Sequence, residues 1–166
     1  MRIALFPGSF DPFHNGHLEI VERASRLFDQ VVVAALRNPQ KGAPLFSLAE
    51  RKEMIEESLA HVGAVRVVSV DTLVVTLAQE VGASVIVKGL RAVSDFENEL
   101  QMAQMNQHLS GIETLFIPTH STHSFIASKL LREVARLGGD VSGLVPIPVA
   151  KRLSDRQFEE RPRPAR

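Results

Sequence analysis

The sequence predicts an α/β fold, a doubly wound sheet of five parallel strands with helices on both faces. Three observations point there. Short apolar runs alternate with helical periodicity along nearly the whole chain. One run, residues 30–36 (QVVVAAL), is almost continuously apolar, as suits a strand buried on both faces. No repeat or internal linker interrupts the 166 residues, so they read as one domain over 1–158, with a charged, proline-bearing tail over 159–166 expected to fray.

The elements follow in order. Residues 2–6 form a first strand, and the turn-rich segment 7–13 leads to His14-Asn15-Gly16-His17 at the start of a helix running from about Gly16 to Phe28. The second strand spans 30–36 and is followed by a loop, 37–46, with Pro39, Lys41, Gly42 and Pro44. Ser47 and Glu50 form a capping box that opens a helix to about His61. A third strand over 64–70 precedes a short helix over 72–81 with Asp71 as its cap. A fourth strand, 83–87, ends in Lys88-Gly89-Leu90-Arg91. Ser94 or Asp95 then begins a helix to about Leu109, with Phe96, Leu100, Ala103 and Met105 as its buried positions. Residues 113–117 give the fifth strand and 120–123 a polar loop. Ser124 leads into a helix closed by Gly138-Gly139, and a last helix covers about 149–158. The whole is Rossmann-like. In such sheets ligands bind beyond the carboxyl ends of the strands, and four predicted exits carry polar groups: Ser9/His17, Arg37/Lys41, Lys88/Arg91 and His120–Ser128.

Composition narrows the function. Nineteen basic and nineteen acidic residues balance, which argues against broad nucleic-acid binding. Six basic and three acidic residues fall at or after Lys151, so the first 150 residues are slightly acidic and an anionic ligand needs a local basic cluster. Without cysteine there is no disulfide framework and no cysteine zinc site. No apolar run is long enough for a signal-peptide core or a bilayer span, so a cytoplasmic, soluble protein with no membrane partner is expected.

The chemistry centres on the first seventeen residues. A strand, a glycine-bearing loop and a helix start together make a phosphate site, because helix N-termini carry free N–H groups and partial positive charge. His14 and His17 are either a helix-capping or a surface pair, or His17 donates a hydrogen bond to a phosphate in the transition state. Two histidines without a matching third ligand do not make a zinc site, so no protein metal site is expected. The glycine spacing fits neither GxGxxG nor GxxxxGK[ST], and no GxSxG occurs, which removes dinucleotide, P-loop and nucleophile-elbow readings. Lys41, Lys88 and Arg91 at one edge look like anion ligands. Ser124–Arg132 is a second anion site or an ordinary amphipathic helix.

The loop PGSFDPFHNGH resembles the nucleotidylyltransferase superfamily, marked by [TH]-x-G-H at a helix start. Residues 6–12, Asn15–His17, the loop Asn38-Pro39-x-Lys41, KGLRAVSDFENELQMAQMN at 88–106 and SFIASKLLREVARLGGDVSGLVP at 124–146 together resemble the phosphopantetheine adenylyltransferases. That family transfers AMP from ATP, accompanied by Mg²⁺, to 4′-phosphopantetheine, giving dephospho-coenzyme A and pyrophosphate.

The resemblance implies roles by position. Catalysis falls to His17 and Lys41. ATP is assigned Ser9, Phe10, His17, Gly89, Leu90, Arg91, Glu99 and the run His123, Ser124, Phe125, Ile126, Ala127, Ser128 and Lys129. The acceptor is assigned Ser9, Lys41, Lys88 and, through its backbone, Val74. A homohexamer and feedback by coenzyme A are also implied. Asn98 stands where relatives commonly carry Tyr, and Ala127 and Lys129 replace two serines. The alternatives are another small-molecule adenylyltransferase, for instance one acting on nicotinamide mononucleotide, or a non-catalytic nucleotide-binding module.

Overall fold

A computed structural model describes residues 1–160, the side chains of 93, 94 and 157–160 excepted. Five strands form one all-parallel sheet: β1 (Ile3–Gly8), β2 (Gln30–Leu36), β3 (Val65–Val70), β4 (Val85–Leu90) and β5 (Glu113–Pro118). The spatial order β3-β2-β1-β4-β5 reverses direction between β1 and β4, so the switch point lies beside the first loop. The helices are α1 (Asn15–Ala24), α2 (Leu48–Ser58), α3 (Val74–Glu80), α4 (Val93–Ser110), α5 (Ser128–Arg136) and α6 (Ile147–Glu160), with single 3₁₀ turns at Pro39–Lys41 and Ser142–Leu144. Residues 161–166 of the expected tail lie outside the described residues.

Strand periodicity makes the two layers. Ala4 and Phe6 of β1 and Val31, Val33 and Ala35 of β2 bury against α1, α2, α5 and α6, whereas Ile3, Leu5, Val32 and Ala34 bury against α3 on the opposite face. Helix α4 lies beside α3 and packs on β4 and β5. The capping box of α2 is as expected: Ser47 Oγ accepts from the Glu50 N–H and the Glu50 carboxylate accepts from the Ser47 N–H.

Several boundaries differ. β4 runs three residues past Val87, because β5 offers parallel partners for Lys88, Gly89 and Leu90. Lys88 is thus a strand residue and not a loop residue. Asp71 caps no helix: α3 starts at Val74 with Leu73 as N-cap, and the Asp71 carboxylate lies 3.5 Å from Arg37. α4 starts at Val93, after Ala92. α5 starts at Ser128 with Ala127 as its N-cap, so Ser124 is not a helix cap, and residues 119–126 remain a loop. On α4, Phe96, Leu100 and Met105 are exposed rather than buried, and Ala103 is half-buried. Among the described residues no helix is long and apolar enough to cross a membrane.

Candidate active site

The predicted strand exits converge on one cleft of about 1170 Å³. The loop after β1 forms its floor. Phe10 holds a left-handed backbone (φ 49°), a conformation costing about 1 kcal/mol for a residue with a side chain. Its ring is turned inward against Phe6 and Phe13 and leaves no room for a side chain at residue 8, where a Cβ would lie 2.8 Å from it. Glycine is therefore required there. At Gly16 a Cβ would meet the His14 ring at 2.9 Å, so this glycine makes space for an imidazole before any ligand.

The two histidines cap α1 together. His14 is the N-cap of α1, and its Nδ1 accepts from the Gly16 N–H at 3.1 Å. His17 completes the box: its Nδ1 accepts from the His14 N–H at 3.2 Å. Each Nδ1 is therefore unprotonated, and each neutral ring carries its proton on Nε2. The rings stack at 3.6 Å, and Phe10 and Phe13 flank His17 at 4.9 and 5.5 Å. Burial first, then the positive charge of Arg91, pushes the His14 pKa down to about 3. Burial also pushes His17 well below its ordinary value, reinforced by His14, Arg91, Lys88 and Lys41. His17 lines the cleft as a neutral ring whose Nε2–H has no protein partner among the described residues. It is a preset donor.

Cations surround it. Lys41 lines the cleft without an ion pair among the described residues, and burial and Lys88 lower its pKa. Lys88 lies 3.4 Å from Glu99, and Arg91 pairs with Asp95 at 3.1 Å while donating to the Ile126 carbonyl at 2.7 Å. Lys129 and Arg132 approach from α5; Arg132 donates to the Asp11 carbonyl at 2.5 Å.

Of the sequence-predicted residues, Ser9, Phe10, His17, Lys41, Lys88, Gly89, Arg91, Glu99, Ala127, Ser128 and Lys129 line this cleft. Leu90, Val74, His123, Ser124, Phe125 and Ile126 do not. Leu90 ends β4 and Val74 opens α3. The His123 ring pairs with Glu19 at 2.8 Å, Ser124 Oγ donates to the Ser121 carbonyl, Phe125 is exposed and Ile126 is buried. Ser128 Oγ donates to the Pro12 carbonyl at 2.9 Å, so its proton serves the first loop.

Three residues escaped the sequence reading. Asp11 is buried, and its carboxylate accepts from the Leu45 and Phe46 N–H groups at 2.8 and 2.9 Å, tying the Lys41 loop to the floor. Glu19 accepts from Arg23, from the His120 N–H and from His123, and so anchors loop 119–126 to α1. Arg51 is buried in the cleft wall. The D-P dipeptide hinted only at a turn, and no local signal marks the other two.

Residues 5–134 match the cytidylyltransferase-like family, and the chain belongs to that class of nucleotidyltransferases. It is 53% identical over 155 residues to a phosphopantetheine adenylyltransferase of Gloeobacter violaceus, covering 93% of this chain and 96% of the relative. It is 56% identical over 160 residues to that of Frankia casuarinae (94% and 98%) and 54% identical over 156 residues to that of Streptomyces coelicolor (94% and 98%). Within its class the chain belongs to the phosphopantetheine adenylyltransferases.

Proposed function

We propose that the protein transfers AMP reversibly from ATP to 4′-phosphopantetheine, releasing pyrophosphate and forming dephospho-coenzyme A, a step of coenzyme A biosynthesis. Family membership supports the substrates. The observation that carries the chemistry is the His17 ring, fixed as an Nε2–H donor in a cleft walled by Lys41, Lys88, Arg91 and Lys129.

The acceptor is a phosphate monoester and is already an anion at neutral pH, so no general base is needed. His17 could not serve as one: Nδ1 is occupied by a backbone N–H and Nε2 carries the proton. The acceptor phosphate attacks the α-phosphorus of ATP in line, the bond to the β-phosphate oxygen breaks, and pyrophosphate leaves with the electron pair. Charge builds on the α-phosphoryl oxygens, where the His17 Nε2–H and the Lys41 ammonium stabilise it. Lys88 and Ser9 hold the acceptor phosphate. Gly89–Arg91, Glu99 and the 123–129 segment hold the nucleotide, the latter through backbone groups of a loop fastened at both ends by Glu19 and Arg91.

Mg²⁺ arrives with ATP as part of the substrate: the nearby carboxylates of Asp95 and Glu99 are paired with Arg91 and Lys88, and among the described residues no three metal-ligating side chains cluster. The enzyme works in the cytoplasm as an assembly of identical copies. The exposed Phe96, Leu100, Met102, Met105 and Leu109 along α4 support an interface between copies. Coenzyme A, which shares both ends of the product, competes for the same cleft.

The test is product analysis with ATP and Mg²⁺ and either 4′-phosphopantetheine or nicotinamide mononucleotide. Dephospho-coenzyme A and pyrophosphate from the first alone are expected. Pyrophosphate only from the second, or from neither, overturns the assignment.

A further inference from the structure

Arg51 is a buried charge at the edge of the site. It is 3% exposed yet lines the cleft. No carboxylate forms an ion pair with it among the described residues; its partners are carbonyls. Nη1 donates to Ser9 O at 2.7 Å and to Leu36 O at 3.1 Å, and Nε to Ser47 O at 3.4 Å. Nη2 has no hydrogen-bond partner among the described residues.

Those three carbonyls come from the cleft ends of three elements. Ser9 leaves β1, Leu36 ends β2 immediately before the segment that carries Lys41, and Ser47 caps α2. One planar fork thus fixes the spacing between Ser9 and the root of the Lys41 segment, a task the single ammonium of lysine cannot reproduce. A buried charge is costly unless compensated; here carbonyl dipoles and the attraction of the buried Asp11 carboxylate compensate it without a direct ion pair. The positive charge remains available to an anion in the cleft.

We propose that Arg51 is a positioning residue for the acceptor phosphate. It holds Ser9 and the Lys41 segment in register and adds a fixed positive charge, and a free Nη2, to that end of the cleft. The ligand chemistry is a phosphate monoester. The inference rests on the adenylyl-transfer reading and names a determinant of its acceptor half.

The test compares wild type, Arg51→Met and Arg51→Lys by calorimetric binding of 4′-phosphopantetheine and of unphosphorylated pantetheine, and by the KM for ATP. In Arg51→Met the dissociation constant for phosphopantetheine should rise about tenfold or more, the loss of one charge-assisted contact. Arg51→Lys should show a smaller rise, pantetheine binding should be unchanged, and the ATP KM should rise less than the phosphopantetheine dissociation constant, since Ser9 and Lys41 also meet the nucleotide phosphate. A purely structural role weakens both acceptor forms and ATP alike. That result, or unchanged phosphopantetheine binding in a folded variant, overturns the proposal. Should Arg51→Met not fold, Arg51→Lys carries the same comparison. Wild type that binds phosphopantetheine but makes no dephospho-coenzyme A rejects the proposed reaction and leaves this inference to the binding data.

Discussion

The N-cap position of α1 holds a histidine, and that choice has a cost in acid. His14 titrates near 3 in the folded protein and near 6.5 in an unfolded chain. Between those values the unfolded state binds a proton that the folded state refuses. The stabilisation is complete above about pH 6.5 and falls as the pH drops toward 3, by about 1.4 kcal/mol per pH unit in mid-window. Thr at position 14 can still cap the helix. His14→Thr should therefore lose less stability than wild type between pH 7 and pH 5 in denaturant titrations, with the slope reduced by roughly that amount. Equal slopes would show that His14 is not held neutral. His17 caps the helix and, on the proposed mechanism, donates to the α-phosphoryl group, and substitution separates the two. His17→Ala should lower kcat about 10²–10³-fold, as removal of a transition-state donor does. It should also cost about 1 kcal/mol of stability, because the box loses an acceptor for the His14 N–H. Stability loss with near wild-type turnover would leave His17 a cap only. The sequence showed both histidines and both candidate roles. What it could not show is that one ring leaves room for both, since that depends on which ring nitrogen the backbone occupies.

At the scale of elements, the strands of the sheet centre were legible because continuous apolar runs need both faces covered. β2 has the bounds its composition implied. Ends decided by neighbours were not legible. β4 extends to Leu90 only because β5 is there to pair with it, and apolar character stops at Val87. The Ser124 segment looks like a helix start in isolation. In the fold its carbonyls and ring nitrogens are claimed by Arg91 and Glu19, and α5 begins later with an alanine as N-cap. Ala127 has the extended backbone of an N-cap (φ −137°, ψ 135°) and no side-chain acceptor to offer. Ala127→Ser should stabilise the protein by about 1 kcal/mol, measured by denaturant unfolding. No gain would mean that the α5 amides are already satisfied. The loop fastening gives a second outcome: Glu19→Ala should speed amide exchange across 119–126 while leaving β1 and β2 protected. Uniform protection in the variant would contradict the anchoring role.

For the whole molecule, the sequence marked apolar residues on α4 but could not say what covers them. Phe96, Leu100 and Met105 were expected in the core of the chain and instead stand on its surface, beside exposed Met102 and Leu109. If copies of the chain cover these residues, sedimentation should give a mass several times 18.3 kDa, near six times for the hexamer the family implies. Met105→Glu should then lower it; a monomer in wild type would refute the assembly. The site was legible to a similar degree. Its cations and histidines could be read from strand exits, whereas Asp11, Glu19 and Arg51 act through backbone groups far away in sequence, and no local pattern announces such a contact.

On the proposed mechanism this cleft joins two bound substrates directly, by placement and charge, with no group of the protein attacking phosphorus. The stereochemistry of transfer from ATP chirally labelled with sulfur at the α-phosphorus to 4′-phosphopantetheine tests it most directly. A single in-line displacement predicts dephospho-coenzyme A with inverted configuration at that phosphorus. Retention, which requires an adenylylated protein intermediate, would contradict it, as would the absence of product.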